Sequence, residues 1–443
     1  MVIENKRNIN TNEDVINVDV LIMGAGISGI FLGLSLEEKG ENNFYILEKE
    51  DRAGGLCRSF KIGNLYYDIG AHALHMKAIE APGRLQKIID IKRIYCQKRN
   101  AKVFVFSKKM PHPFQMHLFY APFKVRLKCL ISYLARPRIK ADNLYDWLQA
   151  TFGEKVCKYF LFPYNEKVWN IDLRHISTNW VSRVSSGPFK FLRGLLFAGK
   201  KNYSSNEYVC YPSNGGFEEL FVGAIKSLDS ELKLNSEIME VDLDKKLVFT
   251  EDNKIYHYKK LVSTLPVDLF IRKIAKIDDE KIIDAVGRLK KVSTCLVTFL
   301  VKKNLTDIQR VYIPDKKYFA QRVIINSNSS SSFRQEDSSL ISLEISYREK
   351  GDLPLSQEII ENCKRLLKDL ELIKMDSDIK QSKIDMFDYV YPVQILDLVS
   401  VINEIRRYLE SFDCFTIGRF GSWNYANVDG ILDEVNDLVK NNF

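Results

Sequence analysis

The sequence predicts an α/β fold in which a discontinuous Rossmann-like domain carries an inserted helical domain and an antiparallel β-sheet domain. Three observations lead there. Residues 18–58 read as strand, glycine-rich turn, helix and second strand. Residues 122–200 have helical periodicity, broken at Pro137, Pro163 and Pro188. Residues 292–350 hold four apolar runs, VSTCLVTFLV, RVYIP, QRVIIN and LISLEIS, set apart by turn residues.

In the first of these stretches an apolar strand at 18–23 runs into Gly24-Ala25-Gly26-Ile27-Ser28-Gly29. A helix follows through Ile30, Leu34 and Leu36 and ends at Gly40, and a strand at 44–47 delivers Glu48. Gly24 makes the tight turn, Gly26 lets the backbone approach a pyrophosphate, and Gly29 lets helix and strand pack closely. The helix N-terminus faces the phosphates, and Glu48, 19 residues beyond Gly29, is placed for ribose hydroxyls. A glycine turn alone is weak evidence; strand, helix and acid at the right spacing make this a nucleotide site.

Length and composition bound the rest. At 443 residues two or three domains are expected, with 46% hydrophobic and 28% charged residues placing the chain among globular proteins. The eight cysteines, at 57, 96, 129, 157, 210, 295, 363 and 414, form no CxxC pair. That argues for a reducing compartment and against both zinc and a disulfide framework. Residues 1–14 read as a polar leader rather than a signal peptide, and no apolar run reaches 18 residues, so a cytoplasmic location is expected. The net charge of +8 suggests anionic ligands. Much of it sits in 124–140, a stretch we read as a solvated helix face in preference to a membrane contact.

Along the chain, 64–72 reads as a strand ending in small residues, and 95–107 as one strand leaving for another sheet. MPHPFQ (110–115) is a proline-pinned loop. A strand at 208–212, a Gly215-Gly216 turn and a helix at 217–228 return to the nucleotide domain. Strands at 237–250 and 255–265 flank an Asp252-Asn253 turn. The serine-rich stretch 327–332 is a loop, 357–370 a helix, and a strand at 415–417 precedes GRFGSWNYANVDG and a last helix. No internal repeat is evident. The expected domains are 15–94, 205–290 and 410–443 for the nucleotide, 120–204 for the helical insert, and 95–119 with 291–409 for the sheet and substrate.

Arg52 and Gly54-Gly55 indicate which nucleotide binds. A second glycine pair serves a flavin whose diphosphate and ribityl chain pass close to backbone, and the pattern resembles FAD proteins of the glutathione-reductase type. FAD is therefore the expected cofactor. Its expected ligands are Gly24, Gly26, Ser28, Gly29, Glu48, Lys49, Arg52, Gly54, Gly55, Leu56, Gly70, Ala71, Arg419, Asn427, Val428 and Asp429.

Four further segments, MPHPFQ, PYNEKVW (163–169), YKKLVSTLPVD (258–268) and GRFGSWNY (418–425), resemble the UDP-galactopyranose mutase family, within the FAD-binding amine oxidase and protoporphyrinogen oxidase superfamily. The resemblance runs from about residue 18 to the end. It implies His72 beside the flavin and Arg183 and Arg322 as clamps on a diphosphate, the three forming the catalytic set. It also implies Tyr312, Tyr391 and Tyr425 on that diphosphate, Phe160, Asn165, Trp169 and Asn206 as nucleoside and sugar walls, and His112 and Gln115 at the base. A site of this kind needs cations, an aromatic platform and amides, which these residues supply. The chain departs from the family pattern at Ala71, where a glycine is usual, at His112, where a tyrosine is usual, and in the spacing of Arg183 from Trp180.

The activity so implied interconverts pyranose and furanose forms of a nucleoside-diphosphate sugar, by default UDP-galactose, for cell-surface polysaccharide. Reduced FAD attacks the sugar through N5, and the resulting flavin–sugar adduct recloses as a furanose. The implied partners are the nucleotide sugar and NAD(P)H as a candidate reductant, with no metal, no nucleic acid and no integral membrane segment. Two other readings stand beside it: an FAD-dependent amine oxidase or desaturase with an apolar or aromatic pocket, and an FAD protein whose substrate site has decayed.

Overall fold

The computed structural model describes residues 15–75, 88–89, 91–183, 187–198, 208–303, 306–330, 332–335 and 337–443. They group into two compact units. The first comprises the chain up to Gly55 together with Ala224–Leu289 and Val399–Phe443. The second comprises Leu56–Gly223 and Lys290–Leu398, so that 56–94 and 208–223 cluster with the sheet and the helices.

The first unit is built on a seven-stranded sheet whose path runs Leu232–Lys233, Phe44–Leu47, Val15–Met23, Ile255–Ser263, Leu247–Thr250, Ile238–Asp242, with Cys414–Thr416 also paired to Ile255–Ser263. Val15–Met23 is parallel to both of its neighbours. Leu21, Ile22 and Met23 are buried, as a parallel strand covered on both faces requires. Helix Ile27–Lys39 follows and stops at Gly40, which takes the left-handed conformation at φ 84°. Helix Val428–Asn442 packs on it, and Lys39 Nζ donates to the Val439 carbonyl at 2.9 Å.

The second unit carries a seven-stranded sheet in the order Ile379–Pro392, Lys291–Lys302, Ser338–Tyr347, Arg322–Ile325, Arg310–Tyr312, Ala101–Val105, Lys108–Pro111. It is mixed rather than wholly antiparallel, because Arg310–Tyr312 runs parallel to Ala101–Val105. One face is apolar: Val297, Phe299, Ile341, Leu343, Val311 and Val323 join Cys363 and Leu366 of helix Ser356–Asp369 in a single core. Side chains alternate along a strand, so Tyr312, Arg322 and Glu344 project from the other face. Helices Phe123–Leu134, Leu144–Phe152 and Pro188–Leu196 form the insert, with a π-helical turn at Cys157–Leu161 before Phe162–Trp169.

Several expectations are corrected. The stretch 95–107 is two strands, Ile94–Lys98 and Ala101–Val105, in different sheets. The stretch 237–250 is also two, turning at 243–246. The 14-residue strand Ile379–Pro392 and helix Leu398–Glu410 were not anticipated. That strand lies at a sheet edge, with 380–383 polar and exposed and only its last three residues buried, so it lacks the apolar signature of a buried strand. The expectation of unlinked cysteines also fails, since Cys96 and Cys210 form a disulfide. They are register partners on antiparallel strands with Cα atoms 4.1 Å apart, a pairing that a sequence separation of 114 conceals. The leader 1–14 and Asn206 lie outside the described residues.

Candidate functional site

In the first unit the glycines build a cradle. A Cβ on Gly29 would stand 2.1 Å from the Gly24 carbonyl oxygen, so helix and turn can touch only without one. Gly26 bridges to Gly54, whose N–H donates to the Ala25 carbonyl at 2.8 Å. A Cβ on Gly55 would come within 3.0 Å of the Gly26 Cα, at a φ of 53°. Helix Ile27–Lys39 has no side-chain cap and no acid in its first turn, which leaves its positive end for an anion. Glu48 is fixed at the strand end: its Oε2 accepts from the Ala25 N–H at 2.9 Å and its Oε1 from the Glu50 N–H at 3.1 Å. Such a backbone-lined cradle with an acid at its rim fits the diphosphate and ribose of FAD.

The GRFGSWNY segment belongs to the same unit. Gly418 takes φ 90°, and a Cβ there would meet Ser28 Oγ at 2.5 Å. Glu434 of the last helix holds the segment, accepting from the Gly418 N–H at 2.9 Å and from Ser422 Oγ. Arg419 donates to the Ala426 carbonyl at 2.9 Å with its guanidinium over the Tyr425 ring. Asn427 stands at the N-cap position of helix Val428–Asn442, with Asp429 in its first turn. Lys49 is exposed and pairs with Glu50 at 3.7 Å.

In the second unit the sheet register does the assembling. Tyr312 is the cross-strand partner of Arg322, and Arg322 is the partner of Glu344, so the three stand in one row across three strands. Arg310 lies two residues from Tyr312 and shares its face. Arg322 Nη1 is 3.3 Å from Glu344 Oε2 and Nη2 donates to Tyr164 Oη at 3.3 Å, with its guanidinium 5.5 Å from the Tyr312 ring centre. Tyr391 donates to the other Glu344 oxygen. Arg99 donates to Tyr312 Oη at 2.7 Å, and Arg310 donates to the carbonyls of Ala71 and His72 at 2.8 and 3.1 Å.

The charges act on one another. Burial pushes the Tyr312 hydroxyl up, but the guanidiniums of Arg99, Arg322 and Arg310 more than offset this and bring it down to about 8. Burial brings Arg310 down to about 10, so it is still a cation at neutral pH. His112 stacks on Tyr312 with ring centres 4.3 Å apart. Burial and then Arg99 hold its imidazole well below the usual range, hence neutral.

The structure brings His112, Phe160, Trp169, Tyr312, Arg322 and Tyr391 into one cluster. Phe160 stacks on Tyr164 and Trp169 meets Tyr391 edge-on. Gln115 is buried in the turn Phe114–Met116. Asn165 is buried and donates to the Leu161 carbonyl at 2.7 Å, a bond within its own helical stretch. His72 stacks on Phe217. Gly70 has φ 86°, and Leu56 lies in the turn Gly55–Cys57. Arg183 ends the turn Thr178–Arg183, its side chain outside what the structure describes.

Sequence reasoning missed Arg99, Arg310, Tyr164, Glu344 and Glu434. Glu344 left a signal, as the one acid inside the apolar run LISLEIS. Arg310 and Arg99 left none, since only the register and the fold of 94–105 bring them to Tyr312.

A glycine cradle at the end of a strand flanked by two parallel neighbours, joined in one chain to a second sheet bearing a buried cationic and aromatic cluster, defines a two-unit flavoprotein. Residues 27–343 match the family model of the flavin containing amine oxidoreductases, and the chain belongs to that family. Its cofactor is FAD.

Among curated proteins the chain is similar to an amine oxidase [flavin-containing] of Oncorhynchus mykiss, 24% identical over 286 residues, covering 57% of this chain and 51% of that protein. It is also similar over 57 residues, at 44% identity, to an uncharacterized protein in the nifH2 3'region of Methanothermococcus thermolithotrophicus, covering 13% of this chain and 54% of that one. The chain thus spans about half the length of each of these relatives. Among solved structures it resembles a reduced UDP-galactopyranose mutase with a TM-score of 0.87 at 24% identity, over 96% of this chain and 95% of that one. A putative protoporphyrinogen oxidase from Exiguobacterium sp. 255-15 gives a TM-score of 0.74 at 13% identity, over 97% and 98%. Both likenesses show the fold.

Proposed function

We propose that the protein is an FAD-dependent sugar-nucleotide mutase that interconverts pyranose and furanose forms of a nucleoside-diphosphate sugar, UDP-galactose by default. The observation that carries this reading is the row Tyr312–Arg322–Glu344 with Arg99 and Arg310 beside it. Three guanidiniums against one carboxylate leave the cluster cationic. That suits a diphosphate and repels the ammonium form in which an amine substrate arrives at neutral pH.

Bound and reduced, FAD supplies the nucleophile for the anomeric carbon. The chain's own residues hold the leaving group. Arg322, oriented by Glu344 and Tyr164, takes the diphosphate oxygens, and Arg99 and Arg310 add positive charge that stabilises it as it departs. Tyr312, protonated below pH 8, donates a hydrogen bond to the same group. Phe160, Tyr164 and Trp169 supply flat apolar surface for the base and sugar. Arg183, Asn206, Gln115 and Tyr425 keep the roles that the family resemblance implies, and NAD(P)H is the proposed reductant. A flavin oxidoreductase of an apolar substrate is the second reading, favoured by the same aromatic surface and by the family.

The test is to reduce the holoprotein with dithionite under nitrogen, add a panel of nucleotide sugars, treat with cyanoborohydride and weigh the released flavin. A flavin heavier by one sugar supports the mutase and identifies the sugar class. Unmodified flavin with every sugar rejects it in favour of the oxidoreductase.

A further inference from the structure

Helix Phe123–Leu134 buries Cys129 and Tyr133 and turns a different stripe outward. Phe123, Leu127, Ile131 and Leu134, at i, i+4, i+8 and i+11, lie on one face, and all four are exposed. Phe123 is 72% and Leu134 68% exposed, values usual for lysine on a surface helix and not for a large apolar side chain. Helix Pro188–Leu196 packs beside it, with Tyr133 stacked on Phe191 at 4.2 Å between ring centres. It repeats the pattern: Phe191 and Leu195 are buried, whereas Phe189, at 77% exposure, and Leu196 face out. The face expected to be solvated over 124–140 is exposed, but its outward stripe is apolar.

The charge around these stripes is one-signed. Residues 122–140 and 188–198 contain eight lysines and arginines and no acid, which equals the net charge of +8 of the whole chain. Lys124 and Lys128 flank the apolar stripe of the first helix, and Lys190 and Arg193 lie beside that of the second. We propose that the outward faces of these two helices dock on an anionic lipid surface, the apolar side chains entering the headgroup boundary and the cations meeting lipid phosphates. Apolar wedges ringed by lysine and arginine are the chemistry such a surface selects. Each helix is far too short to cross a bilayer, at 12 and 9 residues, so the contact lies in the plane of the interface. A second copy of the chain fits less well, because a two-fold contact would bring this acid-free face against itself. The inference stands on surface chemistry and does not depend on the mutase reading.

The test uses the full chain with FAD bound, mixed with lipid vesicles and sedimented. Vesicles with about 30% phosphatidylserine should retain the protein, and pure phosphatidylcholine vesicles should retain about ten-fold less or lower still. Phe123→Ser/Leu134→Ser/Phe189→Ser and, separately, Lys124→Glu/Lys128→Glu should each weaken retention by about ten-fold or more with flavin absorbance unchanged. Equal retention of variants and parent, or no retention on anionic vesicles, overturns the proposal. So does a dimer in sedimentation velocity that the triple serine variant splits, since a second copy would then cover the face.

Discussion

Arg322 and Glu344 face each other across adjacent antiparallel strands, with Nη1 and Oε2 3.3 Å apart and Glu344 wholly buried. Removing Glu344 leaves a mostly buried guanidinium without its countercharge. Glu344→Ala should cost on the order of 3–5 kcal/mol of stability in urea titrations. The double variant Arg322→Met/Glu344→Leu should recover most of that loss, since apolar side chains of similar size carry no desolvation penalty.

Binding should not recover with it. In Arg322→Ala, and equally in the double variant, affinity for a nucleoside diphosphate should fall by about 2 kcal/mol or more, roughly thirty-fold, measured by calorimetry on flavin-loaded protein. Unchanged affinity would remove Arg322 from the diphosphate site.

Tyr312 offers a spectroscopic handle. Its hydroxyl, brought down to about 8 by three arginines against the effect of burial, should appear as one tyrosine ionising near pH 8 in ultraviolet difference spectra, absent from Tyr312→Phe. A tyrosinate cancels one of the positive charges that an anion needs. Affinity for the diphosphate should therefore fall as pH rises from about 7 to 9, and this fall should be missing in Tyr312→Phe.

Asp68 is buried at the end of the hairpin Ser59–Ile62/Leu65–Asp68, accepting from Ser59 Oγ, Tyr211 Oη and the Phe217 N–H at 2.5, 2.7 and 3.1 Å. Burial pushes its carboxyl up to about 6 despite those bonds. A folded-state value above the unfolded one gives stability at low pH that is lost as pH rises through about 6. Relative to Asp68→Asn, the parent should thus lose on the order of 2–3 kcal/mol between about pH 4 and 7. Urea midpoints at the two pH values measure it, and a difference independent of pH would show that Asp68 ionises freely.

At Gly29 the contact is steric. A methyl group there would stand 2.1 Å from the Gly24 carbonyl oxygen, so Gly29→Ala must push the helix off its strand. The purified variant should carry less than about a tenth of the parent's flavin absorbance, as expected when backbone rather than a flexible side chain blocks the space. Gly223→Ala, where nothing lies near, should keep its flavin.

The nucleotide unit was the most legible part of the chain because its determinants are local. Gly24, Gly26, Gly29 and Glu48 lie within one βαβ stretch, and Gly29 and Glu48 do their work against neighbours in that stretch. The cationic cluster around Arg322 was half legible. Arg322, Tyr312 and Tyr391 came from motif likeness, but their geometry depends on the pairing of strands far apart in sequence. That pairing is why Glu344 and Arg310 went unnoticed and why Cys96 and Cys210 looked unrelated. The edge strand Ile379–Pro392 escaped because 380–383 are polar and exposed and burial begins only at Val390, so no apolar rhythm marks most of its length.

The first unit needs three stretches of chain, and the last of them supplies strand Cys414–Thr416 and helix Val428–Asn442. Lys39 meets its carbonyl partner at Val439 only after 400 further residues have been made. On the ribosome, the second unit has its whole sequence in hand by Leu398, while the first unit, though begun earlier, still lacks strand Cys414–Thr416 and helix Val428–Asn442. A chain cut before Val428 should therefore purify with little flavin, because helix Ile27–Lys39 would lose the helix that packs on it.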